Sequence, residues 1–258
     1  MPAPSLLVAS SNPSLPSPDL VTSLNLVLST MLSHAVAAAT LLLATANAQT
    51  TACASTHLIL ARGTTEGYPG TLRSMAELIV SAVPGTTYED VIYPATDETS
   101  TDSYHEGISN ATIQLTAYAN ACPDAKIVLI GYSQGAMVIG DMLAGGGDGG
   151  NILGNYTLPT IDPETIGSRV TGLVMYGDPR HTPDQIYNVG NGTYSVTGKY
   201  PRANYQVTTL ENYASRYHDY CNAGDPVCAS GDNIAAHLQY ASIWDEAAAA
   251  WVKFIVTA

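Results

Sequence analysis

The ten residues Lys126 to Gly135, KIVLIGYSQG, constrain this chain more than any other segment. Its apolar half reads as a strand buried on both faces of a sheet. The strand runs directly into Gly131-Tyr132-Ser133-Gln134-Gly135, a G-x-S-x-G pattern, and Gln134 to Leu143 then reads as a helix ended by the glycine-rich run 145–150. A strand, a sharp turn and a helix in that order are what a nucleophile elbow requires. The glycines have a steric role there, because side chains at 131 and 135 would collide with neighbouring segments. The turn lifts the Ser133 hydroxyl above the C-terminal edge of the sheet, where open α/β folds bind their ligands. It also aims the Gln134 backbone N–H at the place where an oxyanion would form. A plain turn is the competing reading of the five residues, and the flanking strand and helix argue against it.

The rest of the chain alternates in the same way. His57 to Ala61 reads as a strand. Leu72, Met75, Ala76, Ile79 and Val83 then recur at helical spacing until Pro84-Gly85 stops them. Thr86 to Tyr93 is a second strand. Ser103-Tyr-His-Glu106 reads as a capping box, with Ile108, Ala111, Leu115 and Tyr118 on one helical face after it. Val170 to Tyr176 and a segment near Tyr217 are further strands. Ser242 to Val256 reads as a closing helix with Trp244, Ala248, Trp251 and Ile255 inward. The stretch 180–215 is irregular, and no internal repeat is present. Strands alternating with helices imply a parallel sheet covered on both faces, a three-layer α/β/α sandwich.

Ser33 to Ala48, SHAVAAATLLLATANA, has the apolar run and A-x-A ending of a secretory signal, with cleavage expected after Ala48. The run is too short to span a bilayer, which needs about 20 residues. There is no Lys or Arg before Arg62, so the usual positive start is missing. Reading Met31 as the true start, with 1–30 as an extension, reconciles the two. That leaves 49–258 as a single secreted domain.

All four cysteines lie in that domain, and an even count behind a signal reads as two disulfides. Three pairings are possible. Cys53 precedes the first strand and Cys122 the third, and parallel neighbours begin at the same sheet edge, so topology favours Cys53–Cys122 with Cys221–Cys228. Asn110, Asn155 and Asn191 head N-x-Ser/Thr sequons and are possible glycosylation sites. The net charge is −13, with only Asp19 before residue 49. Such a surface repels phosphate backbones and anionic membranes, so neither nucleic acid nor a membrane is an expected partner. A monomer is expected.

A serine nucleophile needs a base, and the base needs an orienting acid, in the chain order Ser, Asp/Glu, His. After Ser133 the histidines are His181, His218 and His237. His237, just before the closing helix, can reach the top of the sheet. Two acids compete. Asp225 lies in the loop Cys221-Asn-Ala-Gly-Asp225-Pro-Val-Cys228, where a disulfide would limit backbone freedom. Asp178, in Tyr176-Gly-Asp178-Pro, also follows a strand. Topology leaves both open.

The elbow GYSQG, the early Ala61-Arg-Gly-Thr-Thr-Glu66, the loop CNAGDPVC and the later Ala-Ala-His237 together resemble the cutinase family, which also holds the acetylxylan esterases. The motifs occur in the family's order and span nearly all of 53–258. The resemblance implies an α/β-hydrolase core with a five-stranded sheet and little or no lid. It implies the triad Ser133, Asp225 and His237, and the same cysteine pairing. It also implies Thr64 and Gln134 as oxyanion donors, with neither metal nor organic cofactor.

The expected function is therefore a secreted serine esterase acting on a polymeric or small ester. The loop Ala229-Ser-Gly-Asp-Asn-Ile-Ala-Ala236 has one large apolar residue, a poor wall for a long acyl chain. That suits removal of acetyl groups from a cell-wall polysaccharide such as acetylxylan. Hydrolysis of cutin is the alternative, since Arg62-Gly-Thr-Thr-Glu66 is at least as close to cutinases. A catalytically inactive surface-binding or elicitor protein is the reading of a different class. Such a protein usually loses a triad or oxyanion residue, and none is lost here.

Overall fold

Alternate apolar side chains on three strands decide the architecture. A computed structural model describes residues 53–97 and 101–258, so the expected signal segment, Met31 and the cleavage site after Ala48 lie outside the described residues. Within them, β1 (Thr56–Ala61), β2 (Thr86–Asp90), β3 (Lys126–Tyr132), β4 (Val170–Tyr176), β5 (Asn188–Val189) and β6 (Tyr217–Tyr220) form one parallel sheet. Its order is β2-β1-β3-β4-β6-β5. The helices are α1 (Arg73–Ala82), α2 (Asp102–Ala121), α3 (Gln134–Ala144), α4 (Asn204–Leu210), α5 (Ile234–Leu238) and α6 (Tyr240–Thr257).

Because side chains alternate along a strand, each central strand feeds two cores. Ile59, Ala61, Ile127, Leu129, Leu173 and Met175 pack on one face with α2 and α3. Leu58, Leu60, Val128, Ile130, Val174 and Tyr176 pack on the other with α1 and α6. Truncating one such fully buried Leu or Ile to Ala costs about 2–5 kcal/mol. From Gly135 to Ala144 every residue of α3 is buried, as expected of a helix apolar on all sides except at Asp141, which is ion-paired. No helix among the described residues is long and apolar enough to cross a membrane.

The structure departs from the sequence reading in four places. The sheet has six strands where five were expected. The extra one, β5, is two residues long and lies inside the irregular stretch 180–215. It is too short for any periodicity and exists because Asn188 and Val189 pair with Asp219 and Tyr220. β2 ends at Asp90 instead of Tyr93, because the Arg62 guanidinium takes the Tyr93 and Pro94 carbonyls at 2.7 and 3.0 Å.

Ser103 does not cap α2, which begins at Asp102. Its hydroxyl instead donates to Gln134 Oε1 at 2.9 Å and accepts from the Thr96 N–H at 3.1 Å, so tertiary partners outcompete the local box. Finally, α6 buries Tyr240, Ala248, Ala249, Val252 and Val256, while Trp244, Trp251 and Ile255 are only half-buried. The small alanines let the helix approach the sheet closely. The tryptophans pack at its margin, Trp251 stacked on His218 with ring centres 3.8 Å apart.

Both disulfides take the topology-favoured pairing. Cys53–Cys122 joins the lower edges of β1 and β3, and Cys221–Cys228 closes the loop after β6.

Candidate active site

β3 and α3 meet at Ser133, whose φ of 54° and ψ of −119° lie in a region a non-glycine residue rarely adopts. The Ser133 N–H donates to the Tyr176 carbonyl at 2.8 Å, which ties the turn to the end of β4. The flanking glycines make the turn possible. A methyl group on Gly131 would come within 2.7 Å of the Ala136 backbone, and one on Gly135 would overlap the Ala61 carbonyl.

The Ser133 hydroxyl faces His237, with Oγ 3.0 Å from Nε2. His237 Nδ1 lies 2.8 Å from Asp225 Oδ2. His237 comes from α5 and Asp225 from the disulfide-closed loop. Asp225 Oδ1 accepts the Val227 N–H at 2.6 Å. Burial alone would raise the Asp225 carboxyl. Hydrogen bonds from His237 and Tyr240, the adjoining imidazole charge and the Val227 N–H outweigh it, and the group titrates below its ordinary range.

The rival acid is elsewhere. Asp178 accepts from Arg202 Nη1 at 2.6 Å and from the Arg180 N–H at 2.9 Å. Arg180 and Arg202 also reach Asp141, at 3.0 and 3.3 Å, in a sealed cluster of two acids and two guanidiniums. Nor are the other two histidines at Ser133. His181 is buried against Asp219, with Nδ1 2.6 Å from Oδ2, and His218 lies against Trp251 and Tyr220.

Thr64 sits on a loop built by the charges of its own motif. Arg62 Nε donates to the Glu66 carbonyl at 2.6 Å. The Glu66 carboxylate in turn accepts the N–H groups of Gly63 and Thr71, at 2.8 and 3.0 Å. Gln134 Nε2 approaches Thr64 Oγ1 at 3.4 Å as a donor, which leaves the Thr64 proton for another acceptor. The Gln134 side chain also bonds the Thr96 carbonyl, at 2.9 Å, so one amide links the Thr64 loop, the Thr96 loop and Ser103. Gln134 opens α3, where backbone N–H groups have no intrahelical acceptor.

Ser133, Thr64 and Gln134 share the wall of a cavity of about 270 Å³. Its apolar lining includes Met137, Ile152, Leu153 and Val227, with Tyr104, Pro179 and Tyr200 beside them. Residues 229–236 line none of it, and Ile234 is exposed, so the loop Ala229–Ala236 does not form the wall of this pocket. Among the described residues, no group of three or more His, Cys, Asp or Glu side chains is placed to hold a metal ion. Asn155 and Asn191 are exposed on loops, whereas Asn110 Nδ2 donates to the Ile92 carbonyl at 2.5 Å.

Sequence reasoning missed Tyr240, whose hydroxyl donates to Asp225 Oδ2 at 2.6 Å, and Tyr132, whose hydroxyl donates to the His237 carbonyl at 2.9 Å. Tyr132 lies inside the elbow motif, and Tyr240 follows His237 by three positions at the start of α6. Nothing else separates them from the other tyrosines of a chain that has 16. A serine hydroxyl held by an imidazole that is held by a carboxylate can act as an activated nucleophile toward a carbonyl carbon.

The family model described as cutinase matches residues 52–256. An acetylxylan esterase of Hypocrea jecorina is 33% identical over 212 residues, covering 78% of this chain and 67% of that protein. Cutinase 11 of Verticillium dahliae is 31% identical over 210 residues, covering 78% and 68%. The catalytic core domain of acetyl xylan esterase from Trichoderma reesei superposes with a TM-score of 0.68 at 30% identity, covering 79% of this chain and 99% of that one.

Proposed function

The chain belongs to the cutinase family of carboxylic ester hydrolases, and from that premise we propose that it is a secreted serine esterase that removes acetyl groups from a plant cell-wall polysaccharide such as acetylxylan. Ser133 is the nucleophile, His237 the general base and Asp225 the orienting acid. His237 takes the Ser133 proton as Oγ attacks the ester carbonyl, and returns it to the departing alcohol. Asp225 holds the imidazole and stabilises its charged form. Thr64 and the Gln134 N–H receive the oxyanion, and losing one such donor costs about 100- to 1000-fold. Water then repeats the sequence on the acyl-enzyme.

The observation that carries this reading is the unbroken chain Ser133 Oγ, His237 Nε2, His237 Nδ1, Asp225 Oδ2, with gaps of 3.0 and 2.8 Å, whose Ser133 end lines a small cavity. Polar side chains of Thr64, Thr96 and Gln134 line that cavity beside Ser133, which suits a small acyl group carried by a polar sugar chain. Similarity to acetylxylan esterases points the same way. A second reading, hydrolysis of cutin, is favoured by the apolar Met137, Ile152, Leu153 and Val227 on the same wall and by the similarity to a cutinase. The two disulfides fit an oxidising compartment, which supports secretion, and the acidic surface supports a monomer with no nucleic-acid partner.

The test is hydrolysis of p-nitrophenyl esters from acetate to decanoate by residues 49–258, with Ser133→Ala as control. A steep fall in kcat/KM beyond acetate supports the acetyl esterase. A preference for butyrate or longer chains moves the assignment to cutin. Activity that survives unchanged in Ser133→Ala points to a contaminating esterase and revives a non-catalytic role.

A further inference from the structure

Tyr240 opens α6, three residues after His237, and is fully buried. Its ring stacks on Tyr176 with centres 5.3 Å apart and tilts against Tyr132 at 6.0 Å, so the phenol has one available orientation. Its oxygen has three polar neighbours. The Asn222 N–H donates to it at 3.0 Å. Cys228 Sγ, at 3.1 Å, is a disulfide sulfur with no proton to give. The third is Asp225 Oδ2 at 2.6 Å, the same oxygen that faces His237 Nδ1. The single phenolic proton is therefore directed at the carboxylate.

We propose that Tyr240 is a positioning residue for the reaction. It locks the rotation of Asp225 and draws charge from the oxygen that faces the imidazole, so it tunes how firmly the carboxylate holds and supports that ring. This rests on the reading that Ser133, His237 and Asp225 perform the chemistry. Asp225 Oδ1 is held by the Val227 N–H and Oδ2 by Tyr240, so the carboxylate cannot swing away when the imidazole takes a proton. The second consequence is electrostatic. A carboxylate that shares its charge with a strong donor stabilises an adjacent imidazolium less than a bare one does. The other titratable groups facing this assembly are Tyr132 on β3, Tyr176 on β4 and Asp219 on β6. Asp219 is held by His181 at 2.6 Å. Tyr132 and Tyr176 are buried phenols pushed well above their ordinary range by burial. Tyr240 thus acts on the base through Asp225.

The experiment measures kcat and kcat/KM for p-nitrophenyl acetate across pH in Tyr240→Phe, in Asp225→Asn and in the double variant. Phenylalanine keeps the ring packing and removes only the hydroxyl. Loss of a hydrogen bond to a charged group is expected to lower kcat about 10-fold, with KM within about twofold. The acid limb of kcat/KM should move to higher pH by about half a unit, because the unshared carboxylate holds the imidazolium more strongly. In the Asp225→Asn background the same change should add less than about twofold, since the partner it acts through has lost its charge.

A loss that is equal at every pH, or equally large in both backgrounds, would make the hydroxyl merely structural and overturn the proposal. Replacing Tyr240 with 3-fluorotyrosine serves even if Tyr240→Phe does not fold. It is a stronger donor of nearly the same shape and should move the acid limb to lower pH, and no shift, or a shift upward, overturns the proposal. Failure of the serine-esterase reading itself would show separately, as activity retained in Ser133→Ala.

Discussion

Arg202 Nη1 lies 2.6 Å from Asp178 Oδ2, and both side chains are sealed from solvent. The pair gives Asp178 a different task from Asp225, although both acids follow strands of the same sheet. Breaking a buried ion pair leaves an uncompensated charge and costs about 3–5 kcal/mol. Asp178→Ala should therefore lower the unfolding midpoint steeply while the folded fraction keeps near-normal kcat. Asp225→Asn should do the reverse, holding the fold and losing on the order of 10⁴-fold in kcat. Denaturation curves and initial rates on the two variants check both halves.

Ser133 holds a backbone conformation that glycine tolerates better than any other residue. Ser133→Ala keeps the strain and removes the proposed nucleophile, whereas Ser133→Gly removes both. Both variants should lose activity on the order of 10⁶-fold. Ser133→Gly should unfold at a higher temperature than Ser133→Ala, by an amount corresponding to about 1 kcal/mol. Equal melting temperatures would mean that the turn stores no strain.

The two disulfides should separate stability from activity. Cys53–Cys122 closes a sequence separation of 69 and Cys221–Cys228 one of 7. Chain-entropy arguments assign them about 4 and roughly 2–3 kcal/mol. Cys53→Ala/Cys122→Ala should give the larger drop in stability with little change in kcat at 25 °C. Cys221→Ala/Cys228→Ala should give the smaller drop and the larger loss of kcat, because that bridge frames Asp225.

His181 is buried with Nδ1 on Asp219 and Nε2 3.1 Å from the Thr193 carbonyl, so both ring nitrogens face acceptors. Burial alone would lower its pKa, but the Asp219 carboxylate and the Thr193 carbonyl outweigh it and hold the imidazole above its ordinary range. Asp219 is itself raised by burial. In both groups the folded state holds protons more tightly than the unfolded one, so stability falls as pH rises. The His181 contribution is complete below about pH 6.5, the unfolded value, and is lost as pH climbs through the raised folded value. Denaturant midpoints of the wild type should fall between pH 6 and 9, and those of His181→Gln should fall less.

Much of this protein was legible in its residues because the responsible physics is local. Buried parallel strands are apolar throughout, so β3 and β4 could be read to within a residue. Helices that cover a sheet repeat every three to four residues, which exposed the buried face of α1 at Met75, Ala76 and Ile79, flanked by Leu72 and Val83. The glycines at 131 and 135 could be read because a sharp turn leaves no room for a Cβ. What the residues left open was settled by contacts between distant segments. Chain order and topology leave Asp178 and Asp225 both open, the family resemblance implies Asp225, and the contacts of Asp178 with Arg202, 24 residues on, and of Asp225 with His237 separate them in space. The strand β5 exists because it pairs with β6, and nothing within two residues can announce that. Tyr240 meets Asp225 because a disulfide loop and a helix start converge over β4. Local chemistry along the chain determined the layers, the elbow and the family. Which acid faces the imidazole, what holds that acid, and which wall bounds the pocket were decided by packing, because those relationships depend on distances between segments that no spacing in the sequence records.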